Sequence, residues 1–171
     1  MAMIVPSIGL PVEGYTTVDM PVERMWEAQL DVSRWPTWNT CFAWSTMIGG
    51  RVELGKTLAF VFNPIERRYP YRMPAVAKIV EVVPYERLTW EVKLPGFHAL
   101  HSFRFERLDD SRCRYGSWEV AEGALYRIAR GFWLAHFGYV CESSLRGARG
   151  LAGSGRPLRY TRAQTPTKNV K

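Results

Sequence analysis

The sequence predicts an α+β domain in which a curved, seven-stranded antiparallel sheet wraps around one long C-terminal helix, with two short helices after the first strand. Two patterns predict this architecture. From Glu86 to Gly123, three consecutive segments alternate apolar and polar residues, which is typical of strands that bury one face. From Ala124 to Ala152, the apolar residues instead recur at helical spacing. A sheet and a helix with one apolar face each are expected to pack together and to leave a cavity between them.

The first half of the chain is expected to supply one strand, two short helices and three further strands. Val12–Asp19 alternates and is rich in β-branched residues, so it is the predicted first strand. Asp19 is expected to cap the following helix, with Pro21 near its first position. Val32–Asn39 is a second short helical segment, which Pro36 interrupts or restarts. Three strands are then predicted: Phe42–Ile48, Thr57–Asn63 and Val76–Val83. In the last of these, Lys78 and Glu81 fall on opposite faces, and a bulge would reconcile them.

The three strands between Glu86 and Gly123 are expected to form the inner face of the sheet. The residues predicted to point inward are Leu88, Trp90, Val92 and Leu94, then Phe97, Ala99, His101, Phe103 and Phe105, then Cys113, Tyr115, Ser117, Glu119 and Ala121. The opposite faces, which include Thr89 and Ser102, are suited to water. His101 and Glu119 are ionisable residues on this mainly apolar face, which makes them the first candidates for function.

The turn between the last two strands decides whether these two residues meet. A two-residue loop would place the inward residues of the two strands on opposite faces of the sheet. A three-residue loop at Asp109–Ser111 pairs Phe105 with Tyr115 and His101 with Glu119. We expect the three-residue loop because it agrees better with the burial pattern.

The C-terminal helix is predicted to run from about Phe132 to the region of Gly150–Gly153. Gly131 and Gly138 each cost about 1 kcal/mol relative to alanine inside a helix, so a break near one of them is expected. His136 falls off the main apolar stripe of this helix and His98 has the wrong strand parity, so we discount both as site residues.

Composition indicates a single domain over residues 1–152, followed by a basic tail over residues 153–171 that we expect to be disordered. The chain of 171 residues is 47% hydrophobic and 13% aromatic, which excludes disorder for most of it. Its net charge is +7, but the tail holds five basic residues and no acid, which leaves +2 for the rest. A solvated tail is therefore favoured over contact with nucleic acid or a membrane.

The three cysteines, Cys41, Cys113 and Cys141, show neither metal-ligand spacing nor a disulfide framework. Such a sparse, odd set indicates reduced thiols and a cytoplasmic protein. No segment has the length and apolarity of a membrane span, and there is no glycine-rich nucleotide-binding loop. We therefore expect neither a metal nor a cofactor.

Four segments follow one another along the chain: PVERMWEAQLDVSRWPTWN, IVEVVPYERLTWE, HALHSFRFE and SWEVAEG. In this order they resemble the START-like superfamily, also called SRPBCC, which includes the birch-pollen allergen and polyketide cyclase/dehydrase families. The resemblance implies a helix-grip fold with a deep pocket for an apolar or polycyclic molecule. It does not imply one activity, because the superfamily contains cyclases, lipid carriers, receptors and sensors.

The predicted catalytic residues are His101, Glu119 and Tyr115. If His101 and Glu119 are paired, the carboxylate is expected to raise the pKa of the histidine and to orient its ring for acid/base chemistry. Tyr115 is a candidate donor to a carbonyl oxygen. The alternative is a buried polar pair whose members merely satisfy each other.

The predicted ligand-binding residues are mainly aromatic: Phe60, Phe62, Arg72, Trp90, Phe103, Ser117, Trp133 and Phe137. Arg72 belongs with Arg67 and Arg68 to a connection expected to flank the pocket entrance. These arginines are candidates to hold a carboxylate, a phosphopantetheine or an acyl carrier protein, and a solvated loop is the alternative. The leading hypothesis is a polyketide cyclase/dehydratase-like protein with a hydrophobic small molecule as its partner. The alternative is a non-catalytic carrier or sensor of a lipid, quinone or isoprenoid.

Overall fold

A computed structural model describes residues 11–65 and 70–153. The N-terminal half contains β1 (Val12–Val18), α1 (Val22–Leu30), a 3-10 helix (Val32–Thr37), β2 (Phe42–Ile48), β3 (Thr57–Phe62) and β4 (Met73–Val83). The C-terminal half contains β5 (Arg87–Leu94), β6 (Phe97–Arg107), β7 (Cys113–Glu122), α2 (Ala124–Ile128) and α3 (Arg130–Gly153). The seven strands form one antiparallel sheet in the order β1-β7-β6-β5-β4-β3-β2, and α3 packs on β1 and β7. The predicted fold class is confirmed.

The turn between β6 and β7 has the predicted three-residue loop. The N–H of Leu108 donates to the carbonyl of Arg112, and the register pairs His101 with Glu119. The Asp109 carboxylate accepts hydrogen bonds from the backbone N–H of Ser111 and from the Arg112 guanidinium. These contacts lower the pKa of Asp109 to about 2, and the hydrogen bond from the Ser111 N–H contributes most. The loop length is therefore stabilised by its own side chains.

Strand β4 contains the bulge that was expected because Lys78 and Glu81 fall on opposite faces of a regular strand. The pairing of β4 with β5 shifts register between Ile79 and Glu81. Lys78 is exposed while Ile79 is buried, and the shift lets Glu81 accept a hydrogen bond from Thr89 on β5. The strand also begins at Met73, earlier than predicted, because its pairing with β3 extends to Phe62.

The two faces of the sheet differ from the predicted alternation at positions that include Leu94, Thr89 and Ser102. Leu94, predicted to point inward, is 52% exposed because β5 ends there. Thr89 and Ser102, predicted to face water, are buried, and the Ser102 hydroxyl donates to the Thr89 hydroxyl, whose own proton is donated to Glu81. A hydrogen-bonded hydroxyl pair is buried without leaving its polar atoms unpartnered.

Asp19 does not cap α1. The N-cap position is Pro21, whose ψ of 146° is extended, and no side chain caps the helix. The helix thus begins at Val22, one residue after the proline, which leaves Asp19 too far from the first turn to reach its N–H groups. In the C-terminal helical region, the predicted break falls at Ala129, two residues before Gly131. Gly138 lies inside α3 without a break.

Gly147 lets α3 approach the segment after the 3-10 helix. A Cβ atom at Gly147 would lie 2.2 Å from the Trp38 carbonyl oxygen, whereas one at Gly150 meets nothing within 4 Å. Both glycines lie in the same helix and have the same low intrinsic helix propensity. A comparison of the two positions therefore separates the effect of packing on stability from that of helix propensity.

We expect Gly147→Ala to lower the free energy of unfolding by about 1–3 kcal/mol, because the added methyl group must displace backbone. Gly150→Ala is the matched control and should raise it by up to about 1 kcal/mol. Urea denaturation followed by circular dichroism measures both. Equal effects of the two substitutions would contradict the close approach.

Candidate functional site

An interior cavity of about 170 Å³ lies between the sheet and the first half of α3. Its lining is mainly aromatic and aliphatic, and its ionisable members are His101, Glu119 and His136. The other lining residues are Phe60, Phe62, Met73, Pro74, Ala75, Trp90, Val92, Leu94, Phe97, Ala99, Trp133 and Phe137. A mainly apolar cavity with a few converging polar groups is the usual form of a small-molecule site.

Five of the eight predicted ligand-binding residues reach this cavity, and three do not. Phe60, Phe62, Trp90, Trp133 and Phe137 line it. Phe103 is fully buried behind it, with its ring stacked on Tyr115 at a centroid distance of 5.6 Å. Ser117 is also behind the lining, where its hydroxyl contacts His101.

Arg72 lines a separate cleft of about 260 Å³ that adjoins the cavity. Phe62, Met73 and His136 border both spaces, so the cleft lies directly outside the cavity. The other arginines predicted here, Arg67 and Arg68, lie outside the described residues, as does the basic tail beyond Gly153.

His101 and Glu119 meet across β6 and β7, and they do not satisfy each other. The Nδ1 atom of His101 is 3.5 Å from Oε2 of Glu119, and its Nε2 atom is 3.0 Å from the Ser117 hydroxyl. Among the described residues, Oε2 of Glu119 has no hydrogen-bond partner although it is buried. An unpaired buried carboxyl oxygen is costly, and Glu119 lines a space in which a ligand can supply the partner.

Burial sets the charge of both groups. It raises the pKa of Glu119 to about 8. Burial, with a smaller contribution from His136, lowers the pKa of His101 to about 3. At neutral pH the carboxyl is therefore mainly protonated and the imidazole is neutral. The expectation that Glu119 raises the histidine pKa is wrong, because a neutral carboxyl offers no negative charge to an imidazolium.

His136 is a cavity residue that the sequence reasoning discounted. It is 4% exposed, its ring is edge-on to Phe62 at 4.5 Å, and burial lowers its pKa to about 4. The sequence did contain a signal, since residues three apart share a helix face and His136 follows Trp133 by three. The apolar stripe predicted for α3 is therefore too narrow, because it leaves out His136.

Tyr115 does not line the cavity. Its hydroxyl donates to Oε1 of Gln29 on α1 at 2.9 Å, and both side chains are fully buried. Its predicted contact with a ligand carbonyl therefore does not fit this geometry. The hydroxyl instead joins β7 to α1 through the core.

Among residues 11–65 and 70–153, no group of three or more histidine, cysteine, aspartate or glutamate side chains is placed to hold a metal ion. In the same part of the chain, no helix is long and apolar enough to cross a membrane. Cys41, Cys113 and Cys141 are buried free thiols.

The sequence matches no protein-family model and no curated protein. Solved structures resemble it closely in fold. The Zhui aromatase/cyclase from Streptomyces sp. R1128 is 14% identical with a TM-score of 0.69, over 84% of this chain and 93% of that one. A START superfamily protein from Mycobacterium smegmatis is 12% identical with a TM-score of 0.62, over 85% and 98%. Major latex-like protein 151 from Panax ginseng is 12% identical with a TM-score of 0.65, over 85% and 97%. The chain has the START-like, or SRPBCC, helix-grip fold.

The raised pKa of Glu119 predicts a specific dependence of stability on pH. The carboxyl ionises near pH 4.5 in the unfolded chain and near pH 8 in the folded one, so the unfolded chain holds fewer protons between these values. Stability therefore falls as pH rises through this window. Glu119→Gln removes this loss. The free energy of unfolding of the variant minus that of the wild type should therefore increase by roughly 3 kcal/mol between pH 5 and pH 8.

Urea denaturation at several pH values measures this difference. Glu53→Gln, at an exposed position, is the control and should show no such trend. A Glu119→Gln effect that is the same at pH 5 and pH 8 would show that Glu119 ionises normally in the folded protein.

Proposed function

We propose that the chain is a cyclase or dehydratase that acts on a carbonyl-bearing apolar or aromatic intermediate, such as a polyketide, by acid/base catalysis in the interior cavity. The observation that carries the proposal is the buried Oε2 atom of Glu119, which has no hydrogen-bond partner among the described residues, in a carboxyl whose pKa burial raises to about 8. The fold it shares with the Zhui aromatase/cyclase supports the same class of reaction.

A neutral carboxyl in a dry, aromatic cavity is suited to bind a ketone oxygen. Its O–H group donates a hydrogen bond, whereas an ionised carboxylate would repel the ketone's lone pairs. The low dielectric of the surroundings strengthens such a bond. Trp90 and Phe97 beside Glu119 in the lining exclude water that would compete for it.

His101 supplies the complementary base. When Nε2–H donates to the Ser117 hydroxyl, the lone pair of Nδ1 is free and faces Glu119. In the dehydration of a β-hydroxy ketone, Nδ1 takes the proton from the carbon next to the carbonyl. In the same step Glu119 gives its proton to the carbonyl oxygen to which it is hydrogen-bonded, and the enol forms. The enol then re-forms the carbonyl, its hydroxyl proton passes to the departing β-hydroxyl, which leaves as water, and the carbon–carbon double bond forms.

The catalyst is restored by one proton transfer over a short distance. After the reaction His101 carries a positive charge and Glu119 a negative charge, with their atoms 3.5 Å apart. The attraction between them offsets part of the cost of charging two buried groups. Return of the proton from Nδ1 to Oε2 then regenerates both neutral side chains, so no other reactant is consumed.

The proposed partner is a hydrophobic small molecule, delivered by an acyl carrier protein. Arg72 is exposed in the cleft outside the cavity, and its guanidinium is the proposed contact for the phosphate of a carrier-bound substrate. The buried free thiols are consistent with the reducing cytoplasm, which is the proposed location.

A non-catalytic carrier of a hydrophobic ligand is the second candidate function. It is favoured by the lining of the cavity, in which nearly all residues are apolar. The two candidates differ in the effect of the polar pair, because a carrier needs shape and apolar area whereas an enzyme needs proton transfer.

The chain contains a matched control for the proposed catalytic pair. His98 and Glu122 also pair across β6 and β7, with Nδ1 and Oε1 3.2 Å apart, but neither lines the cavity. Substitutions of this pair therefore alter the same two strands without altering the proposed site.

We expect Glu119→Gln and His101→Asn each to lower turnover of a bicyclic β-hydroxy ketone by about a hundredfold or more, because each removes one proton-transfer group. A hydroxytetralone is a suitable substrate, since its loss of water yields a fluorescent naphthol. His98→Asn and Glu122→Gln should retain wild-type turnover. Binding of the ketone, measured by tryptophan fluorescence, should persist in Glu119→Gln with at most about a tenfold loss. Binding without any turnover in the wild type would favour the carrier.

A further inference from the structure

Strands β4 and β5 pair over only part of their length. Their ladder joins Lys78–Val83 to Arg87–Glu91, whereas Met73–Ala77 pair only with β3 and Val92–Leu94 only with β6. The unpaired segments begin next to the bulge in β4. A bulge bends its strand and increases the local twist, which accounts for the departure of β4 from β5 at this point.

The interior cavity meets a second space at this gap. A groove of about 360 Å³ lies on the outer face of the sheet. Five residues line both the groove and the cavity: Phe60, Pro74, Ala75, Val92 and Leu94. Since β4 and β5 share no backbone pairing here, only these side chains separate the interior from the outer face.

The outer groove is apolar although it faces solvent. Trp44, Val76 and Leu94 line it and are 50%, 58% and 52% exposed. The outer face of β6 and β7 is different, since it carries charged side chains such as Arg114 and Glu106, which form an ion pair. A contiguous exposed apolar surface beside a cavity indicates a binding surface.

We propose that this groove binds the apolar chain of the same small molecule whose carbonyl end occupies the cavity, with the chain passing between β4 and β5 at Ala75 and Leu94. The ligand is then an amphipathic ketone with a compact carbonyl-bearing end and an extended alkyl or acyl chain. This inference rests on the proposed function, because Glu119 defines where the carbonyl end lies.

Two features favour an apolar chain of the ligand as the occupant of the groove. The cavity of about 170 Å³ is smaller than the roughly 300–1,000 Å³ of most ligand sites, so a ligand of ordinary size must extend beyond it. It can extend into the cleft at Arg72 or into the outer groove. The cleft has a cation at its edge, whereas the groove is lined by Trp44, Val61 and Val76, which suit an uncharged chain.

A series of alkyl phenyl ketones tests the proposal, from acetophenone to decanophenone, each below its limit of aqueous solubility. Binding is measured by isothermal calorimetry and by the fluorescence of Trp44. We expect the wild-type affinity to rise about twofold or more with each added methylene, because each one leaves water for the groove. Only the long-chain ketones should shift the Trp44 emission to shorter wavelength, and Trp44→Phe should remove that shift.

Two substitutions separate the groove from the cavity. Val76→Ser and Trp44→Ser each remove an exposed apolar side chain of the groove, and neither residue lines the cavity. Each should weaken decanophenone binding at least about fivefold and leave acetophenone binding unchanged. Ile48→Ser is the matched control, since Ile48 is exposed on the same strand as Trp44 but does not line the groove. Glu119→Gln should weaken all the ketones by the same factor.

The outcomes distinguish the inference from the function on which it rests. Absence of acetophenone binding would contradict the proposed cavity site. Acetophenone binding without a gain from chain length, or a gain that survives both Val76→Ser and Trp44→Ser, would overturn the groove proposal alone. A dimer in analytical ultracentrifugation that Trp44→Ser dissociates would assign the groove to a second copy of the chain, which also overturns it.

Discussion

The register between β6 and β7 is the constraint on which the candidate site depends. It is held by the Asp109 carboxylate, which accepts hydrogen bonds from the Ser111 N–H and the Arg112 side chain. A loop shorter by one residue would turn Glu119 to the outer face of the sheet while His101 stayed inside. The geometry of a buried site is thus determined by an exposed turn at the far end of the two strands, where Asp109 needs no contact with any ligand.

The aromatic surroundings then decide what the two residues can do. In water, Glu119 would be ionised at neutral pH and His101 would be partly protonated. In the cavity both are neutral, because the imidazole is next to Trp90 and Phe103 at centroid distances of 4.7 and 4.5 Å and the carboxyl is equally desolvated. Burial among the lining residues, and not the proximity of the two groups to each other, sets their protonation states. A pair of neutral groups, one an acid and one a base, is the arrangement that proton transfer to and from a neutral ketone requires.

The strands could be predicted from the sequence because their side chains alternate, and so could the three-residue turn. The pairing of His101 with Glu119 followed from these two expectations. Protonation states could not be predicted in the same way, since they depend on how many neighbours exclude water, and alternation reports only which face a residue is on.

Phe103 and Tyr115 show the same limit of prediction from alternation. Both face inward as predicted, yet α1 and the 3-10 helix cover that part of the inner face, so inward-facing residues there belong to the core and only those under the start of α3 line the cavity.

The conflict between Lys78 and Glu81 shows how a local irregularity in sequence has a consequence at longer range. One strand cannot keep Lys78 exposed, Ile79 buried and Glu81 bonded to Thr89 without an extra residue in its register. The bulge that resolves this conflict bends β4, and the ladder to β5 ends beside it. A regular strand would instead continue to pair along Val92–Leu94 and close the sheet over the cavity. The polar residues at the bulge therefore determine whether the interior communicates with the apolar outer groove, although none of them touches either space.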